Sequence, residues 1–186
     1  GKPMQFIGRI HEHPELGINE GPGPVVILGD VHIAHVGYLD EPVRRLRFAR
    51  NHPLLKKDIE DYPDRLLQKH FIIRDNMLLC GYEYTRNGGR VTVEMRDRAE
   101  EVVRLYREHF LGKPRYANVD PLEFYSQALM ILGEGIEVEF AVSARREGME
   151  QAGTPTKCRF ANAEEARIEM TSRLEAQMGP LTAEIW

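Results

Sequence analysis

The sequence predicts an α+β fold with a short β-rich N-terminal segment, antiparallel helical hairpins and a small β-β-α unit at the C-terminal end. Three observations support this prediction. Residues 1–40 are rich in glycine and proline and show no helical period. From Glu41 onward, apolar side chains recur every three or four positions, which is typical of amphipathic helices. From Ile136, apolar and polar residues alternate, which indicates a half-buried strand.

The N-terminal segment contains three stretches that favour β structure. A short strand is expected over residues 4–10, and further β-rich stretches at 25–28 and 31–36. A Gly-Pro-Gly-Pro loop at 21–24 separates the first stretch from the others.

The first two helices are predicted from their apolar stripes. The first begins at Glu41, and Pro53 either kinks it or starts a new helix. Its expected apolar stripe is formed by Val43, Leu46, Leu55, Ile59 and Tyr62. Pro63 then breaks the pattern, and a second helix begins near residue 64. The apolar face of that helix is expected to carry Leu66, Leu67, Phe71, Met77 and Leu78, with Arg74, His70 and Gly81 beside them.

Local signals also delimit the remaining elements. An Asn-Gly-Gly turn at 87–89 precedes a third helix, which Gly112-Lys113-Pro114 ends. Asp120 is expected to cap a fourth helix, with Pro121 at its first position. After the strand from Ile136, residues 145–156 form a polar connection and residues 157–160 a partner strand. Asn162 is expected to cap the last helix, with Glu165 three positions on.

These elements divide the chain into three predicted parts: residues 1–40, a helical domain at 41–134 and an α+β tail at 135–186. The 25 Lys+Arg and 29 Asp+Glu residues give a formal charge of -4, which argues against nucleic-acid binding. Neither a signal peptide nor a membrane-spanning apolar run is apparent, so we expect a cytoplasmic protein with no membrane partner. The start at Gly1, without an initiator Met, suggests a fragment of a longer protein.

Candidate chemical groups are concentrated near the N-terminus. Four of the seven histidines lie in residues 1–40, where His11 and His13 alternate along a predicted strand. Imidazoles suit a metal site, but the spacing matches no established metal motif, so structural histidines are the default interpretation. Cys80 lies in an apolar run and is expected to be a buried thiol rather than half of a disulfide with Cys158.

The chain resembles family-2 glycosyltransferases with a GT-A fold in three segments: residues 6–12 (FIGRIHE), 33–38 (IAHVGY) and 50–55 (RNHPLL). It is most similar to the branch whose catalytic domain continues into tetratricopeptide-like helices. The similarity is good over roughly the first 80 residues, looser through the helices and absent after about residue 134. The DxD metal motif of that family, and the nucleotide-binding half that carries it, are not in this sequence.

The resemblance implies the acceptor side of an inverting enzyme that transfers a sugar from a nucleotide-sugar to a protein, peptide or other acceptor. A divalent metal, Mn or Mg, would neutralise the leaving diphosphate only together with the missing DxD half. His35 matches the metal-ligand position of the family; the alternative is a strand histidine hydrogen-bonded to backbone. Glu12 is the candidate general base, with His11 and Arg9 beside it, and the alternative for Glu12 and Arg9 is a structural ion pair.

Two further residues are candidates for binding the donor. Tyr38 lies where it would line the donor pocket, although packing explains such an aromatic equally well. Arg44 belongs to a cluster of arginines that would meet a diphosphate, or would form a solvated face.

Two alternatives to the transferase remain open. The helical hairpins could form a non-catalytic module that binds a protein or peptide. A histidine-metal hydrolase would require His11, His13, His32 and His35 to converge on one ion.

Overall fold

The fold is described from a computed structural model of the chain. The structure describes residues 5–9, 13–15, 41–113, 119–140, 144–146, 149–151 and 156–178. These residues form helices and small antiparallel sheets, so the predicted α+β class is confirmed. In chain order the elements are β1 (Gln5–Ile7), β2 (His13–Glu15), α1 (Glu41–Asp61), α2 (Leu66–Arg86), α3 (Val93–His109), α4 (Leu122–Leu132), β3 (Ile136–Phe140), β4 (Ala144–Arg146), β5 (Met149–Gln151), β6 (Thr156–Phe160) and α5 (Ala163–Met178).

The N-terminal strand is shorter than predicted and forms a hairpin. β1 pairs antiparallel with β2, and Ile7 lies opposite His13. The β-rich stretches predicted at 25–28 and 31–36 lie outside the described residues.

The four central helices form consecutive antiparallel hairpins. α1 packs on α2, α2 on α3 and α3 on α4, while α2 also touches α4. Near the end of α2, Glu83 accepts a hydrogen bond from Arg98 at the start of α3 at 2.7 Å. Asn76, half-way along α2, donates to Glu101 in the middle of α3 at 2.9 Å. This reversed order of partners establishes the antiparallel arrangement of the two helices.

A single hydrophobic core connects the helices to the C-terminal tail. Tyr106 of α3 stacks on Tyr125 of α4 with ring centroids 4.2 Å apart, and both rings are fully buried. Phe160 and Cys158 of β6 and Ala166 of α5 belong to the same buried cluster. The helices and the tail therefore bury apolar surface against each other.

Helix α1 differs from its predicted stripe. Pro53 lies inside a continuous helix, and Leu55 is fully buried as expected. Val43 and Leu46, however, are 38% and 72% exposed. The reason is that the first half of α1 turns a different face toward α2, one that includes the buried Asn51.

Helix α2 buries more of its circumference than one apolar stripe allows. Leu67 and Met77 are buried as predicted, but Leu78 is 40% exposed. Ile73 and Cys80, which were not assigned to the stripe, are fully buried. The physical reason is that α1, α3 and α4 cover α2 from three directions.

The turn between α1 and α2 is held by an almost fully buried lysine. Lys69 donates hydrogen bonds to the carbonyl oxygens of Pro63 and Arg65, the latter at 3.3 Å. Burial lowers the pKa of this ammonium group. Lys69 therefore satisfies backbone acceptors that a buried turn would otherwise leave without donors.

The predicted starts of α4 and α5 are close to those observed. α4 begins at Leu122, one residue later than expected, and Asp120 accepts a hydrogen bond from the Leu122 amide at 3.2 Å. At α5, Asn162 accepts from the amide of Glu165 at 3.0 Å, which confirms the predicted cap.

The tail is a two-stranded sheet followed by a helix, as predicted. β3 pairs antiparallel with β6, so that Ile136 lies opposite Phe160. The region of the predicted polar connection, residues 145–156, includes most of a further antiparallel hairpin, β4–β5. The alternation of apolar side chains does not reveal that hairpin because its strands are only three residues long.

Candidate functional site

Arg9, a predicted catalytic residue, is attached to helix α1. Its backbone amide donates to Asp58 at 2.8 Å, and its guanidinium donates to the other oxygen of the same carboxylate at 2.6 Å. A second arm of the guanidinium contacts Asp61, one turn further along. The Asp58 side chain is fully buried, whereas that of Arg9 is 35% exposed. This arrangement is a structural ion pair that fastens the Gly8-Arg9 segment to the helical domain.

Four further predicted site residues precede α1 in the chain. His11, Glu12, His35 and Tyr38 lie outside the described residues, and their roles stay predictions. Arg9 itself lies two positions before His11 in the chain. Its attachment to α1 places Arg9 at the C-terminal end of that helix.

Arg44, a predicted donor-binding residue, lies in a groove between α1 and α2. Its guanidinium carbon is 4.7 Å from the centre of the Tyr82 ring, within the range of a cation–π contact. Asn51 and Phe48 of α1 and Asp75 of α2 also line this groove. Its volume is about 40 Å³, so the groove is small.

The neighbouring arginines of α1 point in different directions. Arg45 contacts the buried Glu83 at 3.3 Å, and Arg50 donates to Asn51 at 2.8 Å. Arg47 lines the same groove as Arg44. The arginine cluster of the sequence therefore divides into an ion pair with Glu83, a hydrogen bond to Asn51 and two residues that line the groove.

A second concave surface lies between α2, α3 and α4 and is mostly apolar. Its volume is about 340 Å³. Gly81 opens it, since a Cβ atom at this position would meet no atom within 4 Å. We call this surface the apolar groove. It is lined by Met77, Cys80, Gly81, Tyr84, Val91, Met95, Gln127, Met130 and Ile131.

Cys80 lies at the base of the apolar groove and is held as a thiol. Its sulfur donates to the carbonyl of Met95 at 3.7 Å, and burial raises the pKa of Cys80 to about 11. Because the thiolate is the reactive form, Cys80 is not a nucleophile at neutral pH. Cys80 and Cys158 are both free, as the sequence predicts.

We expect native Cys80 to resist alkylation at pH 8 and to react fully in urea, which mass spectrometry after iodoacetamide treatment measures.

The raised pKa of Cys80 also has a consequence for stability. In the unfolded chain the thiol ionises near pH 8.5, whereas in the fold it stays protonated until about pH 11. The stabilisation that its burial provides is therefore complete below about pH 8.5 and is lost as the pH rises toward 11. Equal labelling of Cys80 in native and unfolded protein at pH 8 would contradict the prediction that the fold keeps this thiol protonated and protected.

Two histidines within the helices, His52 of α1 and His70 of α2, pack against aromatic rings. His52 stacks on Phe48 with centroids 4.7 Å apart, and His70 lies 6.2 Å from Phe124. Burial lowers the pKa of His52, His70 and His109, so these imidazoles are neutral at physiological pH.

Among the described residues, no group of three or more His, Cys, Asp or Glu side chains is arranged to hold a metal ion. The predicted metal site depends on His35, which lies outside those residues. Of the histidines that the hydrolase alternative requires, only His13 is described. Within the same part of the chain, no helix is both long and apolar enough to span a membrane.

The sequence interpretation missed the residues that anchor the N-terminal segment. Asp58 and Asp61 follow the cationic stretch of α1. From the sequence they resemble ordinary solvent-exposed carboxylates at the end of a helix. The position of Asp58 around the helix was the available signal. Asp58 lies three residues after the buried Leu55 and so shares its core-facing side of the helix. A carboxylate on that side requires a cationic or hydrogen-bonding partner.

Comparison with protein-family models finds no model that matches this chain. No curated protein and no solved structure matches it either.

Proposed function

We propose that this chain contains the portion of an inverting family-2 glycosyltransferase that faces the acceptor and completes the metal site, followed by a helical domain. The proposal places the enzyme in the cytoplasm, where free thiols such as Cys80 and Cys158 persist. Its partners are a nucleotide-sugar donor, a protein or peptide acceptor and the half that carries the DxD motif.

One observation of the described residues supports this proposal. Arg9, within the segment that carries the resemblance, is bound through its backbone and its side chain to the buried Asp58. A catalytic segment that continues into helices needs a fixed position relative to them. The buried carboxylate of Asp58 provides it, because this carboxylate accepts hydrogen bonds from both the amide and the guanidinium of Arg9.

The proposed chemistry is a single displacement at the anomeric carbon of the sugar. Glu12 accepts the proton of the acceptor group, whose heavy atom attacks that carbon while the bond to the diphosphate oxygen breaks. A divalent metal supplies charge neutralisation for the diphosphate when it is bound, with His35 as the ligand from this chain. Arg9 acts as a positioning residue because its guanidinium is engaged by Asp58 and Asp61.

We expect Asp58→Asn to loosen the Arg9 segment, because the amide cannot replace the charge-assisted acceptor of the guanidinium. Trypsin cleavage after Arg9, followed by mass spectrometry, should be roughly five- to tenfold faster than in the wild type. The matched control is Asp97→Asn, an exposed position of α3 with the same charge change. Equal rates of cleavage after Arg9 in the Asp58 and Asp97 variants would show that Asp58 does not hold this segment. The proposal would then lose this support.

We expect the 186-residue chain alone to show no sugar transfer, since the donor-binding half is absent from it. The measurement is turnover of nucleotide-sugars with manganese and a mixed peptide pool. A longer chain with the upstream half should be active, and Glu12→Gln should reduce its kcat by about a hundredfold or more. Transfer by the isolated chain, or upstream coding sequence without a DxD-bearing half, would contradict the proposal.

A non-catalytic peptide-binding module is a second candidate, and the apolar groove is the observation that favours it. Gly81→Leu places a side chain in the groove, since a Cβ atom at this position would meet nothing within 4 Å. Leucine also suits a helix better than glycine, so the variant should fold. Peptides selected from a displayed library should bind the wild type and fail to bind Gly81→Leu. Equal binding to both proteins would exclude the groove as the docking site.

A further inference from the structure

Two histidines of the helices each bury a ring nitrogen that has no hydrogen-bond partner within the described part of the chain. They are His52 of α1 and His70 of α2, and in both the nitrogen is Nδ1. A neutral imidazole can keep Nδ1 unprotonated, whereas an imidazolium carries a proton on both nitrogens. In the charged form the buried Nδ1 would therefore be a donor without an acceptor, which adds to the free energy that burial of the charge costs. The fold thus favours the neutral form of both side chains.

His70 lies where α2 meets α4. Its ring centre is 5.8 Å from that of Phe71, its neighbour in α2, and 6.2 Å from that of Phe124 in α4. The imidazole is therefore part of the contact between these two helices.

The charged groups around His70 do not compensate for its burial. Burial is the largest influence on the pKa of His70 and lowers it, and Arg74, one turn further along α2, lowers it again. Asp120, just before α4, and Asp75 of α2 act in the opposite direction, but the net shift is downward.

His52 occupies a similar environment on α1. It stacks on Phe48, one turn earlier in the helix, with ring centroids 4.7 Å apart. Burial is again the largest influence on its pKa and lowers it. Charges from three helices act on this imidazole in both directions without reversing the shift: Glu101 and Arg98 of α3, Lys56 of α1 and Asp75 of α2.

We propose that His52 and His70 make the packing of the helical domain sensitive to mild acid. Near neutral pH both rings are uncharged and contribute to the contacts that hold α1 and α4 on α2. In mildly acidic solution each ring must either forgo the proton that it would bind in the unfolded chain, or accept it with an unpartnered Nδ1. In both cases the folded state loses stability relative to the unfolded one. The inference does not depend on the transferase proposal.

The direction of the effect follows from the lowered pKa values. In the unfolded chain, imidazoles bind protons near pH 6.5, whereas in the fold both histidines do so only at lower pH. The stabilisation is therefore complete above about pH 6.5 and is lost as the pH falls below it. An unfolded imidazole is mostly neutral at pH 7.5 and mostly charged at pH 5.0, so each histidine can raise the unfolding constant by at most about thirtyfold between these values.

The test measures the equilibrium constant of urea unfolding at pH 7.5 and at pH 5.0, with circular dichroism of the helices as the readout. His52→Phe/His70→Phe keeps an aromatic ring at both positions and removes the titrating nitrogens. The ratio of the two unfolding constants should be smaller in this variant than in the wild type by roughly tenfold or more. His52→Gln/His70→Gln, which also cannot titrate at these positions, provides the same comparison with a polar side chain.

Val102→Ala is the matched control, because it removes fully buried apolar atoms from α3 without changing a titratable group. It should destabilise the protein alike at both pH values and keep the wild-type ratio within about twofold. A wild-type ratio in both histidine variants would overturn the inference, because other groups would then cause the pH dependence. An equal drop of the ratio in Val102→Ala would also overturn it, because loss of packing alone would then explain the change.

Discussion

Gly135→Ala is expected to destabilise the protein severely, by roughly 3 kcal/mol or more. Gly135 has φ +84°, a conformation that disfavours every L side chain. A Cβ atom there would also lie 2.3 Å from the carbonyl oxygen of Phe160 in β6. Since that oxygen belongs to backbone, the clash cannot be relieved by a side-chain rotation. Urea denaturation followed by circular dichroism measures the change in unfolding free energy.

Gly133→Ala provides a matched control two residues earlier. Gly133 has φ +74°, but a Cβ atom there would meet nothing within 4 Å. It carries the conformational penalty alone, about 1 kcal/mol. The difference between the two variants therefore isolates the close approach of Gly135 to β6. Equal destabilisation by both variants would show that this approach does not exist in solution.

Phe160→Ala is expected to cost roughly 3–5 kcal/mol, because a fully buried aromatic ring is replaced by a methyl group. Phe160 contributes to the core that the tail shares with the helices. Its loss should therefore shift the main helical unfolding transition in urea. Ile136→Ala is the control, since Ile136 lies opposite Phe160 in the sheet but is 44% exposed. That variant should lose less than about 1 kcal/mol.

The Phe160 variant also tests the predicted boundary between residues 134 and 135. A tail that folds by itself would unfold in a separate, minor transition and leave the helical one unchanged. A tail that shares the core would lower the midpoint of the whole transition. Glu165 of α5 supports the second outcome, since it accepts hydrogen bonds from Tyr125 and from Arg107, the latter at 2.7 Å.

The helix limits were largely predictable because local chemistry sets them. Thr92 accepts a hydrogen bond from the amide of Met95 at 3.2 Å, and α3 begins shortly after the predicted turn at 87–89. Gly133 ends α4 in a left-handed conformation, which glycine adopts readily. In each case the donor, the acceptor or the flexible residue lies within a few positions of the helix end.

The buried faces were less predictable, and the candidate site least of all. Periodicity assigned Leu46 to the core of α1 and Leu78 to that of α2, although both are exposed. One stripe of a helical wheel cannot show how many neighbours surround a helix. His11, Glu12, His35 and Tyr38 lie outside the described residues, so the catalytic assignment remains a proposal that the chain's resemblance motivates.

Local signals in the sequence specify the α+β class, the order of the helices and most of their ends, because these depend on hydrogen bonds and backbone preferences of adjacent residues. The binding of Arg9 to Asp58, 49 residues away, and the close approach of Gly135 to Phe160 appear only in the folded chain. Such contacts depend on how whole helices and strands pack. The free energy of that packing is spread over many side chains and leaves no local pattern in the sequence.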